Sequence, residues 1–242
     1  MIRRLLLTVV SAAVAMPAAA QAANVYAASS LREALPALDG SQTFNFGGSN
    51  TLQAQIERGA PADVFASASP KEAQALFSKN RCERPVTFAT NVLVLLVPKS
   101  NPAGVRSVYD LNRGKTKRLA VGSAGVPIGD YTRKLLHKLR LGGVLTRNTV
   151  SSEPNVASIT SKVALGSADA GFAYVTDGRA VSDRVKIIKL PRYAQPPVRY
   201  KICVVRRDGA DTAAARRFIS LVVGSKGRTI LKQYGFGLPP RS

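Results

Sequence analysis

The chain is predicted to be an α/β protein with mostly parallel sheets, and three observations predict it. Strand-like and helix-like segments alternate almost from end to end. The strand segments are short and apolar, as in "ADVFASA", "VLVLLVP" and "AGFAYVT". The turns that follow strands are rich in Ser, Gly and Pro and open into helical patterns, the order a parallel crossover needs.

The first residues stand outside that alternation. "MIRRLLLTVVSAAVAMPAAAQA" joins Arg3 and Arg4 to an apolar stretch from Leu5 to Met16, then Pro17 and the small-residue end Ala20-Gln21-Ala22. This order predicts a cleavable signal peptide over residues 1–22, its apolar core too short to span a bilayer. A soluble, periplasmic mature protein is expected.

The elements then follow in sequence. "NVYAAS" reads as a strand and "SLREALPAL" as a short helix, with Ser30 and Glu33 at capping-box spacing. "TFNFGG" is a strand and "TLQAQIERG" a helix; "ADVFASA" is a strand and "SPKEAQALFSKN" a helix capped by Ser69 with Pro70 in its first turn. The apolar run "FATNVLVLLVP" comes next. "RLAVGS" is a strand, and "GDYTRKLLHKLRLG" a helix with Tyr131, Leu135, Leu136 and Leu139 on one face and Arg133, Lys134, Lys138 and Arg140 elsewhere. "NVASITSKVALG" is a helix, and "AGFAYVT", "RVKIIKLP" and "RYKICVVRRD" are strands. The stretch from Asp211 to Phe236 forms one or two helices.

Two lobes of roughly 100 residues each suit this length. The strands near Val92–Val97 and Ile202–Val205 each follow a turn-rich stretch, so they are placed to carry the chain into a second lobe and back. The predicted division is residues 23–88 with 200–242 for lobe I and 89–199 for lobe II. A ligand then belongs in the cleft, at the carboxyl ends of strands.

Charge is unevenly spread. The net charge is +21, and residues 113–242 carry 25 Lys and Arg against 7 Asp and Glu. Such a field attracts anions, anionic lipid or polymer surfaces; a well-solvated basic surface is the plainer reading. Two cysteines, Cys82 and Cys203, and one histidine, His137, offer no metal-ligand spacing. Whether the cysteines pair is open. No nucleophile elbow, paired acid/base motif or phosphate loop is present, so no catalytic residue and no cofactor are assigned.

Four strand-to-helix turns stand out: "YAASSLREAL", "NFGGSNTLQAQI", "VGSAGVPIGDY" and "SSEPNVAS". Helix N-termini expose unpaired N–H groups and a partial positive charge, so these turns are seats for a small oxyanion. Taken singly, Ser30 and Ser49 are ordinary helix caps and Tyr174 is core filler. Ile128 and Val156 offer nothing by side-chain chemistry.

The stretches "AASSL", "GSNTLQAQIERGAPADVFASA", "VGSAGVPIGDY", "EPNV", "VALGSADAGFAYVTD" and "GRTILKQYGF" change that balance. Together they resemble the periplasmic molybdate-binding proteins of ABC importers, which are type II solute-binding proteins, from Asn24 to Phe236. The resemblance implies a two-lobed fold with a two-strand hinge. It also implies a molybdate, and by extension tungstate, ligand and a membrane-embedded importer permease as partner, with the binding protein a monomer and no nucleic acid involved. By matching motif positions it implies a ligand set of Ser30, Ser49, the backbone N–H groups of Ile128 and Val156, and the Tyr174 hydroxyl. A dianion offers only acceptors, so a site made of neutral donors suits it. Each such hydrogen bond contributes about 1.5–3 kcal/mol. The chain departs from the family pattern at Ile128, where a smaller residue is usual, at Asn50, and in a short Leu31–Thr43 connection. Other ligands consistent with the turns are sulfate or another oxyanion; a cationic surface or adhesion role on the same fold is the alternative from charge.

Overall fold

The computed structural model describes residues 21–239. Nearly all of the predicted signal peptide lies outside that range. The chain begins with β1 (Asn24–Ala28), α1 (Ala34–Leu38), β2 (Thr43–Gly47), α2 (Ser49–Glu57), β3 (Val64–Ser67) and α3 (Pro70–Ser78). Two strands then follow back to back, β4 (Val86–Asn91) and β5 (Leu93–Pro98). After them come β6 (Arg118–Gly122), α4 (Pro127–Lys138), α5 (Val144–Arg147), β7 (Thr149–Glu153) and α6 (Val156–Ala164). The order continues with β8 (Ala170–Tyr174), α7 (Val175–Ala180), β9 (Val185–Lys189), β10 (Val198–Val204), α8 (Thr212–Val223) and α9 (Ser225–Gln233).

These strands make two five-stranded sheets, ordered β2-β1-β3-β10-β4 and β7-β6-β8-β5-β9. In the first, β1 is parallel to β2 and β3, while β10 runs against β3 and β4. In the second, β6 is parallel to β7 and β8, while β5 runs against β8 and β9. Four of five strands therefore point one way in each sheet, the mostly parallel arrangement predicted. One reversed strand is threaded through each sheet. The central strands β3, β5 and β8 are buried along their whole length, which is why they read as unbroken apolar runs.

The chain passes between the sheets twice, at Asn91–Leu93 and between Lys189 and Val198. The run "FATNVLVLLVP" is thus two strands serving different sheets. Val92, 46% exposed inside an otherwise buried stretch, marks the crossing.

Three local readings change or become definite. The capping box at Ser30 and Glu33 does not form, because Ser29–Leu31 is a single 3-10 turn and the Ser30 hydroxyl bonds to Tyr200 instead. The closing segment is two helices, broken where Gly224 adopts an extended backbone. β7, "TVSSE", was not legible as a strand: it is a polar edge strand held by its register with β6.

Cys82 and Cys203 are both buried and free. Their thiols face each other, and the contact with Cys82, followed by burial, pushes the Cys203 thiol well above its usual range. Asp63, polar and buried, holds the first sheet to the chain after β10. It accepts from the Asn24 N–H at 2.8 Å and pairs with Arg207 at 2.7 Å. No helix among the described residues is long and apolar enough to cross a membrane.

Candidate anion-binding site

The site is assembled by the ends of strands. β1 runs into Ser29-Ser30, β2 into Gly48-Ser49, β3 into Ala68, β6 into the turn before Ile128, and β7 into Asn155-Val156. β8 ends on Tyr174 itself. All of these meet around one small cavity whose lining includes Ser30, Ser49, Ile128, Val156 and Tyr174. The five residues implied by the resemblance therefore come together, three from the second sheet's side and two from the first. The lining also holds Gly48, Ala68, Pro127 and Asn155 but no Asp, Glu, Lys or Arg. Asn50 does not line it; its carbonyl oxygen lies beside Gly48.

Each donor is positioned by a local device. Ser49 is the first residue of α2, almost fully buried, and its Oγ accepts from the Ala68 N–H at 3.0 Å. With a lone pair so occupied, its own proton is free to point into the cavity. Ile128 is the second residue of α4, behind Pro127, so its N–H has no acceptor within the helix. Gly129 keeps that turn close to β6: a Cβ there would sit 2.2 Å from the Ser123 carbonyl oxygen. Val156 opens α6, whose start is capped by the Asn155 side chain accepting from the Ser158 N–H at 3.0 Å. Three helix N-termini, those of α2, α4 and α6, thus face one point, and their dipoles add positive potential without a buried cation.

Tyr174 completes the set. Its ring is fully buried, and its hydroxyl is buried with no hydrogen-bond partner. An unpaired buried hydroxyl costs about 1–3 kcal/mol, a cost that an acceptor brought to it would relieve. Burial, with the Tyr200 hydroxyl as the next cause, drives the Tyr174 phenol well above its ordinary range. It stays a proton donor at every physiological pH.

A second cavity, about 440 Å³ against about 10 Å³ for the first, shares Ser29 and Ser30 with it. Glu33 and Asp177 border the larger one. The carboxyl of Asp177 is pushed up to about 7 by burial, and its Oδ2 has no partner. Arg32 and Arg179 border this cavity as well, so the larger cavity mixes both signs of charge, whereas the small cavity is lined by neutral residues alone.

Sequence reasoning missed Gly48 and the Ala68 N–H at the cavity, and Tyr200 and Asn91 behind it, where Tyr200 bonds Ser30 and Asn91 donates to Tyr200. Gly48 and Ala68 sit inside motifs already singled out, but only packing reveals what their backbones touch. Asn91, a polar residue just before an apolar run, was the one legible signal.

Two α/β lobes with a donor-lined cavity where strand ends from both converge define a binding protein for a small solute. The profile of the bacterial extracellular solute-binding proteins matches residues 7–237, and the chain belongs to that family. It is 36% identical over 197 residues to the molybdate-binding protein of Mycobacterium tuberculosis, covering 81% of this chain and 73% of that one. Against the molybdate-binding protein of Haemophilus influenzae the identity is 31% over 235 residues, covering 90% and 91%. The structure of the Azotobacter vinelandii periplasmic molybdate-binding protein superposes with a TM-score of 0.78 at 25% identity, covering 90% of this chain and all of that one. The resemblance read from the sequence motifs is borne out by these relatives.

Proposed function

We propose that the protein captures molybdate, and tungstate as a close isostere, in the small cavity and delivers it to a membrane-embedded ABC importer. The observation that carries this reading is the lining without a single ionised side chain, together with the buried, unpartnered hydroxyl of Tyr174, one of its residues. The names of the relatives at 31% and 36% identity support the choice of molybdate. In this reading Ser30, Ser49 and Tyr174 donate through hydroxyls, and Ile128 and Val156 through backbone N–H groups. Residues 23–91 with 198–239 and residues 93–189 act as the two lobes, the expected bounds after 88 and 199 falling inside β4 and β10 of the first sheet, and they close about the β4–β5 and β9–β10 crossings. The protein acts as a monomer after removal of residues 1–22, binds its ligand without chemical change, and uses no cofactor.

The physical balance favours neutral donors. A Lys or Arg inside a closed cavity must be stripped of water, while fixed N–H and O–H groups are already held in place by the fold. Closure around the anion is then a two-state signal a permease can read.

Thermal melting with molybdate, tungstate, sulfate and phosphate at constant ionic strength tests the proposal. A ligand present at about 100 times its Kd adds roughly 2.7 kcal/mol of stability, so a clear rise in Tm is expected with molybdate and tungstate. A larger rise with sulfate would reassign the ligand. No rise with any of the four would remove the proposal.

A further inference from the structure

The two site serines are held from behind in different ways. The partner of Ser49 is a backbone N–H, which can only donate, so the direction of that bond is fixed. The partner of Ser30 is the Tyr200 hydroxyl at 2.8 Å, and either oxygen could donate. Only one direction leaves Ser30 useful to an anion. If Ser30 donated to Tyr200, it would turn a lone pair toward the cavity.

Asn91 decides the direction. The Val92 N–H donates to its Oδ1 at 2.9 Å, which identifies the oxygen end of the amide. The nitrogen end therefore faces Thr176 Oγ1 at 3.0 Å and the Tyr200 hydroxyl at 3.4 Å. An amide nitrogen offers protons only, so it presents no acceptor to Tyr200. The contact is long for a hydrogen bond and orients the phenol more than it binds it. The one acceptor the Tyr200 proton meets among the described residues is Ser30 Oγ. Its oxygen so engaged, Ser30 is left with its own proton for the cavity. Ser30, Asn91 and Tyr200 are all buried, Tyr200 completely, and in a low-dielectric interior aligned hydrogen bonds polarise one another. Burial also holds the Tyr200 phenol far above its usual range, so the relay keeps its proton.

We propose that Asn91 and Tyr200 are positioning residues that turn Ser30 into a donor toward the bound oxyanion. They thereby set a preference for a fully deprotonated oxyanion over one that carries a proton. This rests on the anion-site reading above. Because Asn91 ends β4 at the crossing and bonds Thr176 of α7, the orientation is built into the hinge itself and not into either lobe alone.

The test is calorimetric binding of molybdate and of hydrogen phosphate to the wild type, Tyr200→Phe, Asn91→Asp and Ser30→Ala, with Tyr200→Phe also placed in the Ser30→Ala background. Tyr200→Phe keeps the ring and frees Ser30 to rotate. Its molybdate affinity is expected to fall about ten-fold, and the preference for molybdate over hydrogen phosphate to shrink. In the Ser30→Ala background the same change is expected to do almost nothing, because the effect runs through Ser30; a packing defect would weaken both backgrounds alike. Asn91→Asp offers Tyr200 an acceptor, reverses the relay, and is expected to weaken molybdate binding more than Tyr200→Phe does. Molybdate binding by the wild type, with an unchanged anion ratio in Tyr200→Phe or equal losses in the two backgrounds, overturns the relay and leaves the site intact. Absence of binding by the wild type overturns the anion-site reading itself. Tm of each ligand-free variant separates folding failure from lost affinity, and wild-type affinity in a folded Asn91→Asp protein would also overturn the relay.

Discussion

Tyr174→Phe is expected to lower molybdate affinity by about ten- to a hundred-fold while leaving the ligand-free protein as stable as before, or slightly more so. Both halves follow from one fact: the hydroxyl is buried and bonds to nothing in the protein. A hydrogen bond to a charged ligand contributes about 1.5–3 kcal/mol, and every 1.4 kcal/mol is ten-fold in affinity. The ring itself packs edge-on to Tyr200 at 6.0 Å between centroids, a contact phenylalanine keeps. Deleting an unpaired buried hydroxyl relieves a desolvation cost, so the ligand-free Tm should hold or rise by a few degrees. Ser49→Ala behaves differently, because it strands the Ala68 N–H as well as removing a donor. Calorimetry and melting on the same Tyr174→Phe sample suffice. A falling ligand-free Tm, or affinity equal to the wild type, would show that the hydroxyl has a structural role and not a ligand-binding one.

Gly48→Ala is expected to weaken binding by a comparable factor through a different cause. Gly48 has φ −68° and ψ 134°, a conformation open to any L-residue, so backbone freedom is not why glycine stands there. Space is the reason: a Cβ would lie 2.3 Å from the Pro154 carbonyl oxygen and 2.9 Å from Asn50 Oδ1. Gly48 follows β2 in the first sheet and Pro154 follows β7 in the second, so the methyl group is a wedge between the lobes. Overpacking of this kind costs about 1–3 kcal/mol, and here it falls on closure and not on the folding of either lobe. Molybdate affinity should drop while the ligand-free Tm changes little. Wild-type affinity in Gly48→Ala would mean that the lobes do not need to come so close when the ligand is held.

Much of this was legible in the sequence. Strand and helix alternation gave the fold class, because a buried parallel strand and an amphipathic helix leave different periodicities. The ligand set was legible only as motifs: Ser30 and Ser49 look like caps, and the N–H groups of Ile128 and Val156 belong to no side chain. What stayed hidden was whatever depended on the distance between lobes. Nothing in "GGSN" tells that Gly48 lies against Pro154, and nothing in "RYKIC" tells that Tyr200 backs onto Ser30. The split of "FATNVLVLLVP" at Val92 was hidden for a related reason, since both of its strands are apolar and only their sheet partners differ. The Ser30–Glu33 spacing misled because Ser30 is drawn away by a residue 170 positions on.

The threading of β10 between β3 and β4 also governs the order in which the molecule can assemble. The second sheet takes every strand from Leu93 to Lys189, one unbroken length of chain. The first sheet draws β1 to β4 from the start and then needs a strand that begins at Val198. Distant pairings are slow because the chain must be ordered over a long loop before contacts reward it. The sheet built from the middle of the chain therefore has all its strands first, and the sheet built from the two ends waits with the edges of β3 and β4 unpaired. Unpaired apolar edges invite pairing with other chains, so the hazardous interval in this protein's life is the one before its last strand is seated.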